Sequence, residues 1–207
     1  MKPVTAAGAE SVNVYFPGAG PWYWADTLDV ARAALPRGAA PGSWRAAPAP
    51  LGRTPAFQRG GAIVPRQMRP RRASAQMRDD PYTLVVALDA AGAARGWLYL
   101  DDGASYDFSR KGAFRLRELR FGPAQGAPAT AELVNAFAAG GKAHAPDNVV
   151  ERVLVAGLER APRGVAVVKE GGGEEPVEFA FDAVKGLLTV KKPGVKVAYD
   201  FTIRFTF

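Results

Sequence analysis

The segment that most constrains the fold is residues 53–68, which reads R-T-P-A-F-Q-R-G-G-A-I-V-P-R-Q-M. A proline inside an α-helix removes a backbone donor and clashes with the preceding turn, so Pro55 and Pro65 prevent a helix from passing through. Gly60 and Gly61 are adjacent, and paired glycines favour a tight turn. The short apolar runs on both sides of these glycines therefore predict a strand, a turn and a second strand.

Apolar residues recur at every second position in several other stretches, which is typical of strands with one buried face. The C-terminal stretch shows the pattern most clearly, because its other alternate residues are mostly polar. The apolar set there is Val197, Tyr199, Phe201, Ile203, Phe205 and Phe207, and shorter sets are Val12, Val14 and Phe16, and Leu84, Val86 and Leu88. We expect an antiparallel strand at each of these stretches.

Asp-Gly and Pro-Gly pairs separate the alternating stretches, and short strands between frequent turns are typical of a sandwich or barrel. Within residues 114–121 the alternation changes phase, which predicts a β-bulge. Helix-like spacing occurs only at residues 26–35, and a proline and glycines follow soon after. The sequence thus predicts an all-β fold with at most one short helix.

Residues 67–80 are polar, rich in arginine and interrupted by Pro70, and they separate two blocks of predicted strands. We therefore predict two consecutive antiparallel β-sandwich domains, one at residues 1–70 and one at residues 71–207. A block of about 70 residues is small for an independent core. Its bulky side chains should need a further surface to pack on, and these are Trp22, Tyr23, Trp24 and Trp44.

Residue usage excludes several classes of site. The sequence contains no cysteine, which rules out disulfides, thiolate metal sites and cysteine nucleophiles. The single histidine, His144, lies in a loop-like stretch and the sequence has no nucleophile elbow, so we interpret it as a surface residue. No apolar run approaches the ~20 residues that span a bilayer, and the first residues lack the apolar core of a signal peptide.

The net charge of +7 is concentrated at residues 66–78, which hold five arginines and no acidic residue. Such a cluster could bind nucleic acid or an acidic protein. It could also be an exposed connector, which we favour because the interleaved aromatic residues that bind single strands are missing. We expect neither a nucleic-acid partner nor a membrane. The arginines are Arg66, Arg69, Arg71, Arg72 and Arg78.

The densest group of acidic residues is Asp101, Asp102 and Asp107. Adjacent strand residues point to opposite faces, so Asp101 and Asp102 cannot flank one reacting bond unless a turn intervenes. An Asp-Gly pair favours a hairpin corner in which the Asp side chain accepts hydrogen bonds from turn amides. An oxygen-rich loop could also bind calcium, although the alternating acids of an EF-hand are missing. We favour the structural turn and assign no catalytic, cofactor-binding or metal-binding residue.

Trp22, Tyr23 and Trp24 form a consecutive aromatic triplet. Flat aromatic rings can stack on sugars, but such side chains more often serve cores and interfaces. In a strand, Trp22 and Trp24 lie on one face and Tyr23 on the other. We favour a domain interface for the two tryptophans and leave direct sugar contact open. Phe57, in the 53–68 segment, is the fourth candidate for the same role.

Five motifs follow one another along the chain: K-P-V-T at residues 2–5, V-Y-F-P-G at 14–18, W-Y at 22–23, P-A-F-Q-R-G-G-A-I-V-P at 55–65 and G-W-L-Y-L-D-D-G at 96–103. In order and approximate spacing they resemble the region that follows the catalytic barrel in family-31 glycoside hydrolases. The likeness is dense up to residue 121, thin from residue 122 to 141 and weak near the end. Trp24 departs from the family pattern, which commonly has an aspartate there, and residues 33–50 are unusually rich in Ala, Pro and Gly.

The resemblance implies a proximal and a distal C-terminal sandwich in a retaining exo-α-glucosidase, whose aspartate nucleophile and aspartate acid both lie in the barrel. The family's motif around the nucleophile is absent from this sequence, so no catalytic residue is carried over and we expect this chain alone to be inactive. We expect the catalytic barrel to precede Met1 and to be the main partner, with Trp22, Trp24 and Phe57 as anchors.

The resemblance further implies removal of glucose from N-linked glycans in the endoplasmic reticulum lumen. It implies a regulatory β subunit as a second partner, and it implies no cofactor. A stand-alone module that binds carbohydrate or an acidic partner is the alternative.

Overall fold

The structure is a computed structural model that describes residues 3–18, 20–28, 42–141 and 144–207. Most of the helix predicted at residues 26–35 lies outside the described residues. The predicted all-β fold is confirmed, because the helical elements in the described part are one 3₁₀ turn, Ser74–Met77, and one four-residue helix, α1, Asp107–Arg110. No helix in this part of the chain is long and apolar enough to cross a membrane.

Strands carry almost all of the regular structure. In chain order they are β1 (Ser11–Phe16), β2 (Trp22–Trp24), β3 (Ser43–Pro48), β4 (Phe57–Arg59), β5 (Ala62–Arg66), β6 (Tyr82–Ala87), β7 (Ala94–Leu100), β8 (Arg115–Ala124), β9 (Ala127–Gly140), β10 (Val150–Ala156), β11 (Gly164–Val168), β12 (Glu174–Pro176), β13 (Phe179–Asp182), β14 (Leu187–Lys191) and β15 (Phe201–Thr206).

The strands of the described residues form two small sheets and one large one. β1 pairs with β3, and β2 pairs with β4, both antiparallel. The other eleven strands form one sheet in the order β12-β11-β15-β9-β8-β7-β5-β6-β10-β14-β13. Its pairs are antiparallel except β6–β10 and the short β5–β7 contact, which are parallel. The large sheet curls, so its two halves face each other across a common core.

The main core is built from alternate residues of both halves of the curled sheet. In β7, for example, Leu98 and Leu100 are buried while Trp97 and Tyr99 are exposed. Full burial of one such aliphatic side chain stabilises the fold by ~1.5–3 kcal/mol, so this core is the main source of stability. Its fully buried members include Leu84, Val153, Leu188 and Val190 from one half and Leu133, Ile203 and Phe205 from the other.

Strand β6 is buried on both faces. Leu84 and Val86 face the main core, whereas Val85 and Ala87 face a second cluster on the other side of the sheet. Two-sided burial is typical of parallel strands, and β6 runs parallel to β10. The first block of the chain therefore covers the outer face of β6 and β10. The second cluster comprises Tyr23, Leu28, Val85, Ala87 and Ala156.

The strand–turn–strand unit predicted at residues 53–68 is present as β4, Gly60-Gly61 and β5. Its two strands belong to different sheets, since β4 pairs with β2 and β5 pairs with β6. β5 lies before residue 70 and β6 lies after it, so the large sheet crosses the predicted joint. The division into domains at residues 1–70 and 71–207 stays a prediction.

The C-terminal strand is shorter than the alternating pattern predicts. β15 begins at Phe201, and Ile203 and Phe205 are fully buried on its inner face. Val197 is buried in a turn, while Tyr199 is 49% exposed. The predicted common face for Val197 to Phe207 is therefore wrong before residue 201.

A buried polar network explains this turn. Arg117 is 1% exposed, and its guanidinium donates to Asn135 Oδ1 at 3.0 Å and to Asp200 Oδ1 at 2.5 Å. Asn135 Nδ2 donates to the carbonyls of Val197 at 2.9 Å and Tyr199 at 3.0 Å. A buried charge is costly unless it is paired, and the turn supplies the opposite charge, Asp200. The network thus holds residues 197–200 as a turn where alternation predicts a strand.

The bulge predicted within residues 114–121 is confirmed between Leu116 and Arg117, where the β8–β9 register shifts. Beyond it, Arg117, Leu119 and Phe121 share the buried face of β8. An arginine therefore occupies a core position that a search for apolar residues passes over.

We predict that Gly96→Ala destabilises the chain more than Gly122→Ala. A Cβ at Gly96 would lie 2.1 Å from the carbonyl oxygen of Ile63 on β5, whereas at Gly122 the nearest atom is the Ala93 Cβ at 3.8 Å. Overpacking of this kind costs roughly 1–3 kcal/mol. Urea unfolding of both variants should show a lower midpoint for Gly96→Ala. Equal midpoints would contradict the close approach of β5 and β7.

Candidate functional site

Three of the four candidate residues meet in one aromatic cluster. Trp22 and Trp24 share a face of β2, as predicted, and Phe57 on β4 lies opposite Trp24. The ring centroids of Trp24 and Phe57 are 4.3 Å apart, and Phe16 lies 4.8 Å from Phe57 and 5.5 Å from Trp22. Phe16 is buried, while the other three rings are half-buried. The cluster is therefore a small core that keeps part of its surface open.

Tyr23, the fourth candidate, points to the other side of β2. Its side chain is 2% exposed and packs in the second cluster against Val85 and Ala87 of β6. Its hydroxyl donates to the carbonyl of Leu88 at 2.8 Å. Tyr23 thus joins the first block to the large sheet of the same chain.

An arginine stacks on one ring of the aromatic cluster. The Arg53 guanidinium lies 4.0 Å from the centroid of the Trp24 ring, and Arg53 donates to both carboxylate oxygens of Asp26 at 2.9 and 3.1 Å. Burial alone would raise the pKa of Asp26, but hydrogen bonds from Arg53 and from nearby backbone outweigh it and lower the pKa. The planar ion pair therefore holds Trp24 between a guanidinium and Phe57.

A buried glutamine links the two blocks through polar contacts. Gln58 Nε2 donates to the carbonyls of Ala62 and Val85, both at 3.1 Å. Arg66 donates from Nη2 to Gln58 Oε1 at 3.1 Å and from Nη1 to the carbonyl of Ala25 at 2.7 Å. Burial lowers the pKa of the Arg66 guanidinium below its ordinary value. Gln58 was not predicted to have this role, although a polar residue between Phe57 and a turn in a predicted strand was the available signal.

The Gly60-Gly61 turn fits into a space that admits no side chain at its first position. A Cβ at Gly60 would lie 2.6 Å from the Leu88 carbonyl oxygen and 2.9 Å from that of Pro21. Gly61 has a φ of +87°, which favours glycine. The tight turn predicted for this pair is confirmed, and it brings β4 and β5 directly against β6.

The arginine cluster is largely engaged within the chain. Arg71 forms a bidentate pair with the buried Asp80 at 3.0 and 2.5 Å, and this pairing lowers the pKa of Asp80. Arg69 lies 3.7 Å from Glu151, and Arg78 donates to the carbonyl of Asp102 at 2.9 Å. With Arg66 already bound to Gln58, these contacts favour the predicted connector over a binding surface for an acidic partner.

The acidic loop is a structural turn. Asp102 Oδ1 accepts from the amides of Ala104 at 3.1 Å and Ser105 at 3.0 Å, and Asp102 Oδ2 accepts from Ser105 Oγ at 2.6 Å. The hydrogen bond from the Ser105 hydroxyl is the largest cause that lowers the pKa of Asp102 to about 2. The predicted hairpin corner is wrong in one respect, since β7 and β8 are connected by the longer segment 101–114, which contains α1. Asp107, at the start of α1, pairs with Lys111 at 2.9 Å.

No three His, Cys, Asp or Glu side chains in the described ranges lie where they could hold a metal ion.

His144 is half-buried rather than exposed, contrary to the prediction, and its Nε2 atom lies inside the fold. Its carbonyl accepts a hydrogen bond from Arg115 Nε at 2.6 Å. The packing of residues 144–148 against the sheet was not visible in the sequence pattern.

The most exposed aromatic pair of the first block lies on β1 and β3. Trp44 is 62% exposed and Tyr15 is 48% exposed, and these residues are directly paired across the two strands. Their ring centroids are 5.3 Å apart. Trp44 was predicted to need a further surface to pack on. Tyr15 was not, although its alternation with Val14 and Phe16 was the available signal.

The chain is similar to known proteins along nearly its whole length. Residues 1–64 match the model of the glycosyl hydrolase family 31 C-terminal domain. Human neutral alpha-glucosidase AB is 35% identical over 204 residues, which are 98% of this chain and 20% of that protein. The chain corresponds to the C-terminal region of family-31 glycoside hydrolases.

Other relatives agree with this family placement. A probable glucan 1,3-alpha-glucosidase from rice is 36% identical over 95% of this chain and 21% of its own length. The crystal structure of an endoplasmic-reticulum glucosidase II complex, made of a catalytic subunit and the binding domain of a regulatory subunit, matches 99% of this chain with a TM-score of 0.77 and 31% identity. This chain covers 22% of the matched one. It therefore spans about a fifth of the length of its family-31 relatives.

We predict that Gln58→Leu destabilises the chain while Gln125→Leu, in the exposed β8–β9 turn, has little effect. The first change removes two buried hydrogen bonds from Nε2 and leaves the Arg66 guanidinium without one acceptor. An unsatisfied buried polar group costs ~1–3 kcal/mol. Chemical denaturation should show this loss for Gln58→Leu. An unchanged unfolding free energy would show that Gln58 does not stabilise the contact between the first block and β6.

We also predict that Asp102→Ala lowers the Tm at pH 7 and that this difference narrows in acid. The folded-state pKa of about 2 lies below the ordinary value of 3.8, so the ionised carboxylate is stabilised by folding. Its contribution is complete above the unfolded-state pKa and is lost as the pH falls through about 2. Thermal unfolding between pH 7 and pH 2 measures the difference. A constant difference across this range would contradict the turn's dependence on the carboxylate charge.

Proposed function

We propose that this chain is a non-catalytic C-terminal portion of an α-glucosidase and that it braces the enzyme's catalytic barrel. The observation that carries the proposal is the pattern of coverage, since the similarity extends over 98% of this chain but over only 20% of human neutral alpha-glucosidase AB. The reaction would then belong to the larger part of the enzyme.

The chemistry of the described acids supports a structural role. Retaining glycosidases place two carboxyl groups ~5–5.5 Å apart on either side of the scissile bond. Here Asp102 is committed to turn amides, Asp80 to Arg71, and Asp26 to Arg53. Carboxylates held in this way stabilise loops and are poorly placed to act as a nucleophile or an acid.

We extend the proposal to the parent enzyme. The family-31 relatives include neutral alpha-glucosidases, and one matched structure is a catalytic subunit bound to part of a regulatory subunit. We propose that the parent enzyme removes glucose from N-linked glycans in the endoplasmic reticulum lumen and that a regulatory β subunit is a second partner. In this proposal residues 1–70 form the proximal sandwich, and Trp22, Trp24 and Phe57 lie on its barrel side.

A chimera tests the bracing role. When this chain replaces the matched region of human neutral alpha-glucosidase AB, we expect hydrolysis of p-nitrophenyl α-D-glucopyranoside. We expect no turnover by the isolated chain, and none by the human enzyme cut before that region, because its barrel would lack support. Full activity of the cut enzyme would contradict bracing. Turnover that stays with the isolated chain through purification would contradict a non-catalytic role.

A second candidate function is a stand-alone carbohydrate-binding module. Trp97 and Tyr99, side by side on the outer face of β7 and 49% and 47% exposed, favour it because their rings could stack on a sugar. Calorimetry of the isolated chain with maltotetraose, with Trp97→Ala as the comparison, separates the two candidates. Saturable binding that Trp97→Ala removes would favour the module.

A further inference from the structure

The two-stranded sheet β1–β3 has two very different faces. Its inner face carries Phe16 and Val14, which pack into the aromatic cluster with Trp22 and Phe57. Every residue on its outer face is exposed, and none is charged. The outer residues are Ser11, Asn13 and Tyr15 on β1 and Trp44, Ala46 and Pro48 on β3.

The six residues of the outer face are all uncharged, in a chain where 23% of residues are charged and the net charge is +7. The other exposed tryptophan, Trp97, shows the contrast. The Arg95 guanidinium lies 5.0 Å from the Trp97 ring, and Arg95 pairs with Glu118 at 2.6 Å. Trp97 therefore lies beside an ion pair, whereas none of the ion pairs among the described residues involves a side chain of β1 or β3.

The composition of the outer face matches the centre of a protein–protein interface. Such centres are depleted of charged residues and enriched in tyrosine and tryptophan, and these two residue types often contribute most of the binding energy. A two-stranded sheet is also only marginally stable without something to pack on. Its inner face has a partner within the chain, so the outer face is the side left for a partner outside it.

We propose that the outer face of β1–β3, centred on Tyr15 and Trp44, is the surface through which this chain contacts the catalytic portion of a family-31 enzyme. Two observations select this occupant. The face lies within residues 1–64, which match the family's C-terminal domain model. In addition, this chain covers only 20% of the human protein, so about four fifths of that protein lies outside the matched region.

The chemistry of the surface also specifies the partner's surface. The partner should present apolar, uncharged groups to the two rings, together with hydrogen-bond partners for the Asn13 amide and the Tyr15 hydroxyl. The assignment rests on the proposed bracing function, and it adds that Tyr15 and Trp44 make the outside contact while the Trp22–Trp24–Phe57 cluster supports their sheet from beneath.

Charge placed on this face tests the assignment in the human chimera described above. The variants are Trp44→Glu and Ala46→Glu, and the matched control is Val184→Glu, at an exposed position in the β13–β14 turn. Ala46→Glu adds a charge without removing a packed side chain, so it keeps the test valid if Trp44→Glu fails to fold. The readouts are the specific activity and Tm of each purified chimera and the Tm of each isolated chain.

We expect both face variants to lower recovered chimera activity at least tenfold, while Val184→Glu changes it less than twofold and the isolated chains keep their Tm. An active chimera that is indifferent to Ala46→Glu would overturn the assigned surface and leave bracing intact. A chimera without activity before any substitution would overturn bracing and the assignment together. A dimer of the isolated chain in sedimentation, dissolved by Ala46→Glu, would assign the face to a second copy and overturn the proposal.

Discussion

The structure depends on strand β6 being buried on both faces. Leu84 and Val86 complete the main core, while Val85 and Ala87 receive Tyr23 and Leu28 from the first block. Burial of each of the larger side chains, Leu84, Val85 and Val86, contributes ~1.5–3 kcal/mol, and none of the four consecutive positions can be polar without leaving one core or the other incomplete. Because one strand serves both cores, the first block and the curled sheet cannot shift independently of each other.

The segment 53–68 reinforces this arrangement with directed contacts. Apolar packing is not directional, so it fixes which surfaces meet but not their register. The Gln58 amide and the Arg66 guanidinium supply that direction, since they join β4, β5, β6 and the Ala25 carbonyl within one network. Gly60 then allows the backbones to approach more closely than any side chain would permit. Residues 53–68, which resemble a glycoside-hydrolase motif, thus connect the first block to the large sheet.

The sequence was sufficient for local features and insufficient for long-range ones. Alternation predicted the strands, the bulge near Leu116 and the shared face of Trp22 and Trp24, because each depends on neighbours along the chain. It could not predict the parallel β6–β10 pair, which joins residues far apart in sequence. It also failed at residues 197–200, where the buried Arg117 and Asn135 recruit a turn through contacts that no apolar pattern reveals. Candidate surface residues were missed for the same reason, since exposure of Tyr15 depends on which sheet face the rest of the chain covers.

The two sides of the first block differ, since one packs on the large sheet and the other is exposed. On one side, Tyr23 and the Gln58–Arg66 network attach it to β6 through apolar burial and buried hydrogen bonds. On the other, the outer face of β1–β3 offers two aromatic rings and no charge. Between them lies the compact cluster of Phe16, Trp22, Trp24 and Phe57, whose ring contacts of 4.3 to 5.5 Å leave little room for relative movement. In the proposed bracing role, a contact at the outer face would therefore be backed by these rings and, through Tyr23 on the other side of β2, by β6 and its core.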